Sequence, residues 1–253
     1  MPDADGAPAG FVRVTAGRCD AVARAEHVED ARRMLAEGSL YEAAARDLSA
    51  SRLQGRGIAY AIALPVTGTR AVVRHNRHGG LLAPFTRDLF LPPTRAPHEL
   101  SVALRLRELG VSTADVLMYG TAPAPLLFRR ADVVTREIAS GRDLASFMAP
   151  STSDVERSAA WSATRDLVRV MSDAGVRHHD LNVKNILLAP SSRGLEAFLL
   201  DVDRVTFHRP RTARVAAANV ARLLRSARKW RDERGALFDE RELASLTDPR
   251  RDA

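Results

Sequence analysis

The stretch from Arg177 to Leu188, RHHDLNVKNILL, constrains this chain more than any other. It sets a carboxylate, Asp180, five residues ahead of an amide, Asn185, and runs directly into a short apolar segment. A second apolar segment, Ala197 to Leu200, ends on Asp201-Val202-Asp203. Two apolar runs joined through the turn-forming residues Pro190 to Gly194 read as a β-hairpin. Such a hairpin carries Asp180, Asn185 and Asp201 to one end of a sheet. A carboxylate, an amide and a second carboxylate in that order suit phosphoryl transfer: one group orients and deprotonates a hydroxyl, and two hard oxygen ligands hold Mg²⁺.

The pattern assigns Asp180 to the acceptor hydroxyl and Asn185 and Asp201 to the metal, with Asp203 either a ligand to a second metal or a brace for the loop. Lys184 and Arg204 stand close enough in sequence to neutralise phosphate charge. His178 is expected to pack and hydrogen-bond beneath the loop; His179 is open between roles.

The rest of the chain is read outward from this loop. Residues 1–50 form an N-terminal extension without evident chemistry, in which Ala21 to Leu35 and Tyr41 to Leu48 read as short helices. From residue 51 the texture changes. Gly55 and Gly57 open a hairpin of Ile58 to Pro65 and Arg70 to His75, and glycines at such an entrance let backbone amides approach a phosphate. Arg74 and Glu99 are a candidate pair, the cation to contact a nucleotide and the acid to hold it. Glu99 lies on a helix predicted from Pro97 to about Leu109, with Gly110 as its stop. Between them, His75, Arg77, His78, Arg87 and Arg95 alternate with large apolar residues; that segment suits contact with an anionic bilayer, a grip on a phosphorylated glycolipid, or packing as a helix. Strands are expected at Val116 to Tyr119, Leu126 to Arg129 and Asp132 to Glu137, and a hinge at Val133 to Ile138. The 3.6-residue period from Asp154 to Ala174 predicts a core helix that buries Trp161, and a cationic helix runs from Arg211 to Arg231. The boundaries implied are 1–50, 51–138 and 139–253.

Composition narrows the partners. The 38 Lys and Arg against 31 Asp and Glu leave a formal charge of +7, which favours polyanions such as nucleic acid, an anionic membrane face or a phosphorylated substrate. No apolar run approaches the roughly 20 residues a membrane helix needs. The single cysteine, Cys19, excludes intrachain disulfides and thiolate metal clusters. The acidic start lacks the pattern of a secretory signal, so a cytoplasmic location is expected.

HHDLNVKNILL followed by LLDVDR resembles the lipopolysaccharide kinases that phosphorylate Kdo or heptose, and most closely the 3-deoxy-D-manno-octulosonic acid (Kdo) kinases among them. GRG at 55–57, VVRHNRHGGLL at 72–82, FRRADVVTREIASGRDL at 128–144 and ANVARLLRSARK at 218–229 match in order and spacing. The resemblance implies an α+β, two-lobed protein-kinase-like fold, with a small β-rich N-lobe and a mostly helical C-lobe. It also implies ATP and Mg²⁺ as cofactors, and transfer to a Kdo hydroxyl on Kdo-lipid A or a similar anionic glycolipid. The expected setting is the cytoplasmic face of the inner membrane, peripherally bound, with no nucleic acid as partner. Two departures stand out: DVD replaces the commoner DFD, and the first fifty residues do not match. An aminoglycoside-type phosphotransferase with a soluble acceptor shares the loop pattern, and a non-catalytic basic binding module is the third reading.

Overall fold

The computed structural model describes residues 7–54, 57–76, 90 and 94–246. Near its start, alternating apolar residues make Phe11–Ala16 (β1) and Cys19–Arg24 (β2) an antiparallel hairpin in which Ala16 faces Cys19. Gly17 takes a φ of 59° in the two-residue turn, a conformation open to glycine without steric cost. The remaining strands of this sheet are Ser51–Gln54 (β3), Ile58–Ala63 (β4), Arg70–His75 (β5), Val116–Pro123 (β6) and Arg129–Arg136 (β7). They form one seven-stranded antiparallel sheet in the order β1-β2-β6-β7-β5-β4-β3.

The chain divides into two compact units. Unit 1 comprises residues 1–101 and 115–137, and unit 2 residues 102–114 and 138–253. Unit 1 is therefore β-rich. Its helices Val28–Ala36 (α1) and Leu40–Arg46 (α2) bury Met34, Leu35 and Leu40 among Val73, Leu117, Met118 and Val134 of the sheet. Each such large side chain removed from water contributes about 1.5–3 kcal/mol. A capping box fixes the start of α2: the Ser39 hydroxyl accepts from the Glu42 amide while the Glu42 carboxylate accepts from the Ser39 amide.

Residues 1–50 differ from their expected helices at one point. β1 and β2 extend the sheet of unit 1, and the helix expected from Ala21 begins only at Val28. Ala21, Val22 and Ala23 are all buried between β1 and β6, and such two-sided packing overrides the helix preference of alanine. The hairpin strands predicted at Ile58 and Arg70 are present as β4 and β5. The two strands predicted over 126–137 are one, β7, because Leu126 with φ 60° and its neighbours make the preceding turn.

A buried carboxylate ties α1 to the turn between β4 and β5. Asp30 accepts from the amides of Val66 (2.8 Å) and Thr67 (3.1 Å), from the Thr67 hydroxyl, and pairs with His27 at 2.9 Å. Burial alone would raise its pKa, but the bonds from His27, Val66 and Thr67 outweigh it and hold the carboxyl below its ordinary value.

The helix Ala96–Glu108 (α3) belongs to unit 1 through Ser101 and to unit 2 from Val102. The remaining elements of unit 2 are Arg142–Asp143 (β8), Leu144–Phe147 (α4), Asp154–Asp173 (α5), Val176–His178 (β9), Ile186–Ser191 (β10), Gly194–Leu199 (β11), Val205–Phe207 (β12), Ala213–Arg234 (α6) and Glu240–Ser245 (α7). β8, β10 and β11 make one small sheet, β9 and β12 another. The core helix predicted at 154–174 is α5. Trp161 lies on its buried face, donates to the Glu242 carbonyl at 2.9 Å and meets Phe238 edge-on, so its role is packing. The division between units falls between Glu137 and Ile138, and Val133 to Arg136, expected within a hinge, are strand. With a β-rich unit followed by a mostly helical one, the fold is the α+β class implied by the resemblance. Among the described residues, no helix is long and apolar enough to cross a membrane.

Candidate active site

In unit 2, the predicted loop hangs between β9 and β10, and backbone-directed side chains hold it. Asn185 is 4% exposed; its amide nitrogen donates to the Asp180 carbonyl at 2.9 Å, and so does the amide nitrogen of Asn182, also at 2.9 Å. The Asn185 carbonyl accepts from the Leu200 amide at 2.9 Å, which joins the loop to the residue preceding Asp201. His178 is buried, as expected. Its Nδ1 accepts from the Asp180 amide at 3.0 Å, and its Nε2 donates to the carbonyls of Leu200 and Asp201, each at 3.1 Å. Burial lowers the pKa of this imidazole against the opposing pull of those carbonyls and of Asp201 and Asp180, which keeps the neutral, bridging form. Asp180, Asn185 and Asp201 are thus brought together by one network.

Asp201 takes φ 53° and ψ 48°, a left-handed conformation that Asp tolerates better than most residues. Such a conformation next to a carboxylate cluster is where functional sites store backbone strain. Asp203 follows on the short 3₁₀ turn Val202–Arg204 and is half-buried.

Helix α6 supplies partners that sequence reasoning missed. Asn219, Arg222 and Ser226 lie at i, i+3 and i+7, one face of the helix. Asn219 is fully buried; its oxygen accepts from the His178 amide at 3.1 Å and its nitrogen donates to the Val176 carbonyl at 2.8 Å. Arg222 donates to Asp180 Oδ1 at 2.5 Å. The Ser226 hydroxyl accepts from the Val183 amide at 3.2 Å. Of the cations on the helix expected from Arg211 to Arg231, Arg222 thus pairs with the loop carboxylate while its side chain stays 42% exposed. The available signal was the buried stripe Val215, Asn219, Leu223, Ala227, in which an asparagine interrupts the apolar series. Lys184, expected to be at the disposal of phosphate, instead pairs with Asp143 at 2.5 Å and lies 5.6 Å from the centre of the Trp230 ring.

In unit 1, Arg74 and Glu99 are paired as predicted, Arg74 Nη2 donating to Glu99 Oε1. Glu99 is 4% exposed at its side chain and Arg74 30%, so the acid is the fixed member and the guanidinium the accessible one. Asn76, with its amide turned to satisfy both ends, donates to Glu99 Oε2 at 3.2 Å. Gly57 sits at the bend before β4, whereas Gly55 lies outside the described residues, as do Arg77, His78 and Arg87. His75 bonds Asp132 at 2.6 Å and stacks on Tyr41 with ring centres 3.6 Å apart.

Among the described residues no three His, Cys, Asp or Glu side chains converge as a metal site. The oxygen groups that could hold a metal are the Asn185 amide oxygen and the carboxylates of Asp201 and Asp203. Few protein ligands, all of them oxygen, fit Mg²⁺, which keeps waters and substrate phosphates in its shell.

Residues 45–245 match the model of the Lipopolysaccharide kinase (Kdo/WaaP) family. A 3-deoxy-D-manno-octulosonic acid kinase from Actinobacillus succinogenes is 30% identical over 198 residues, covering 76% of this chain and 80% of its own. One from Stenotrophomonas maltophilia is 33% identical over 198 residues, covering 76% and 74%. The solved structure of WaaP in complex with acyl carrier protein covers 86% of this chain and 96% of its own, with a TM-score of 0.48 and 21% identity.

Proposed function

Since the chain belongs to the lipopolysaccharide kinase (Kdo/WaaP) family and is a phosphotransferase acting on a sugar hydroxyl, we propose that it transfers the terminal phosphoryl group of ATP to a hydroxyl of Kdo on a lipid A-type glycolipid. The observation that carries the reading is the network joining Asp180, Asn185 and Asp201 through His178 and the Leu200 amide. Asp180 accepts the proton of the attacking hydroxyl; Arg222 keeps its carboxylate oriented, and Asn182 and Asn185 hold its backbone. Asn185 and Asp201, with Asp203, would hold Mg²⁺, which when bound neutralises charge on the phosphates. Arg74, presented by Glu99, contacts the nucleotide phosphates, and the backbone at Gly57 approaches them. A guanidinium in this place offers a fork of donors in place of the ammonium's point charge. The enzyme works peripherally at the cytoplasmic face of the inner membrane, with the exposed Arg214 and Arg225 of α6 offered to anionic lipid.

The test is transfer of labelled phosphate from ATP to a panel of acceptors: Kdo-lipid A, a heptose-bearing core, and soluble sugars. Label on Kdo-lipid A that disappears in Asp180→Ala is the expected result. Transfer only to a soluble alcohol would overturn the glycolipid assignment.

A further inference from the structure

The two-stranded sheet of β9 and β12 carries a cationic face that the catalytic reading does not use. His178 pairs with Val205 across this sheet and both are buried, so alternate residues turn the opposite way, outward. Arg177 opposes Thr206 in the register, and the His179 amide donates to the Arg204 carbonyl at 3.0 Å, which sets those two opposite one another as well. His208 continues the ladder through its amide bond to Gly175. The outward face therefore carries Arg177, His179, Arg204, Thr206 and His208. The Thr206 hydroxyl lies 3.0 Å from His179 Nε2 and 3.1 Å from His208 Nε2. Among the described residues, neither Arg177 nor Arg204 forms an ion pair with a carboxylate. Burial, and then the nearness of Arg177, His208 and Arg204, lower the pKa of His179, an independent sign that these cations crowd one another.

Cations gathered on one short face repel one another, which costs stability. A bound anion removes that cost, and this one adjoins Asp180 directly in the chain. We propose that Arg177, His179, Arg204, Thr206 and His208 form the acceptor-anchoring site, which takes a phosphate monoester of the glycolipid and so delivers the sugar hydroxyl to Asp180. The inference deepens the glycolipid-kinase reading and rests on it for the identity of the partner. A nucleic acid fits less well. The face spans only a few strand residues at roughly 3.3 Å each, enough for one phosphate group, whereas single-strand binding uses a longer track with stacking aromatics. Phe207 alternates to the other side.

The test reads binding without catalysis. The full chain is sedimented with phosphatidylcholine vesicles, with and without lipid A as the source of phosphate monoesters. The doped vesicles are expected to bind, and Arg177→Gln with Arg204→Gln to weaken that binding by about thirtyfold, the loss of two surface cations facing an anionic partner. Arg177→Lys with Arg204→Lys should restore most of it, since charge at an exposed site is what is needed. Asp180→Asn, which abolishes transfer, should bind the vesicles as the parent does. Competition by millimolar inorganic phosphate assigns the site to phosphate in any source; binding lost in the glutamine variant but untouched by inorganic phosphate assigns it to the headgroup on a bilayer. Unchanged vesicle binding in the glutamine variant, or tighter binding of an oligonucleotide than of the vesicles, overturns the proposal. Should no Kdo acceptor be phosphorylated while the vesicle results hold, the proposed reaction falls and the anion site stands.

Discussion

The two halves of the candidate machinery are held in different ways. In unit 2 the loop around Asp180 is fixed by buried polar groups, His178, Asn185 and Asn219, each making two or more bonds to backbone or loop. In unit 1 Arg74 is set by a side-chain pair with Glu99 and by its place on β5. Buried networks rigidify because any unpaired member leaves a desolvated group uncompensated. The Arg74 guanidinium is 30% exposed at the end of a long stem and is held by the Glu99 carboxylate. On the proposed roles, the contrast predicts that the group offered to the hydroxyl is pre-set, while the group offered to the nucleotide would adapt to its ligand.

The largest effect that would sharpen this contrast is that of Asp180→Ala. Transfer should fall by about 10³-fold, as for loss of a general base, with the melting temperature unchanged because the carboxylate is on the rim of the loop. A normal turnover in that variant would remove Asp180 from the chemistry. Asn219→Leu should act the other way. It leaves the His178 amide and the Val176 carbonyl unpaired in the core, so unit 2 should lose about 2–3 kcal/mol of stability by denaturant titration. A variant as stable as the parent would show that the network is not what holds the loop.

Glu99→Gln should be milder, weakening nucleotide binding by about tenfold, about 1.4 kcal/mol, with kcat little changed, as read by calorimetry and steady-state kinetics. If kcat fell as steeply as for Asp180→Ala, the idea of an adaptable nucleotide side would be broken.

The smallest effect is on pH dependence. The folded pKa of His178 lies below its unfolded value, so the unfolded chain binds the extra proton first. Its contribution to stability is present above the unfolded value of about 6.5 and is lost as pH falls from there. Thermal melts should show that loss, and His178→Asn should reduce it. Asp30, whose pKa is also held down, should add a second decline in the carboxylate range below about pH 4.

Much was legible in the linear order of residues. The apolar runs of β4, β5, β10 and β11, the 3.6-residue period of α5, and the Asp180, Asn185, Asp201 spacing are local patterns, and the structure keeps them. The pairing of Arg74 with Glu99 was legible because a strand and the helix after it are near neighbours in the chain. Illegible were the features that depend on distant packing. Ala21 to Arg24 read as helix because alanine favours it, and became strand because β1 and β6 enclose it.

Sequence alone determined the order of the candidate site: a carboxylate, an amide and a second carboxylate around a β-hairpin. A short loop between two strands leaves little freedom for where they end up. Tertiary structure alone decided who steadies Asp180, since Arg222 and Asn219 lie about forty residues further on and reach the loop only because α6 packs its buried stripe against β9. It also decided that Arg177, His179, Arg204 and His208 share one face, which follows from the register of β9 with β12 and from nothing adjacent in the chain.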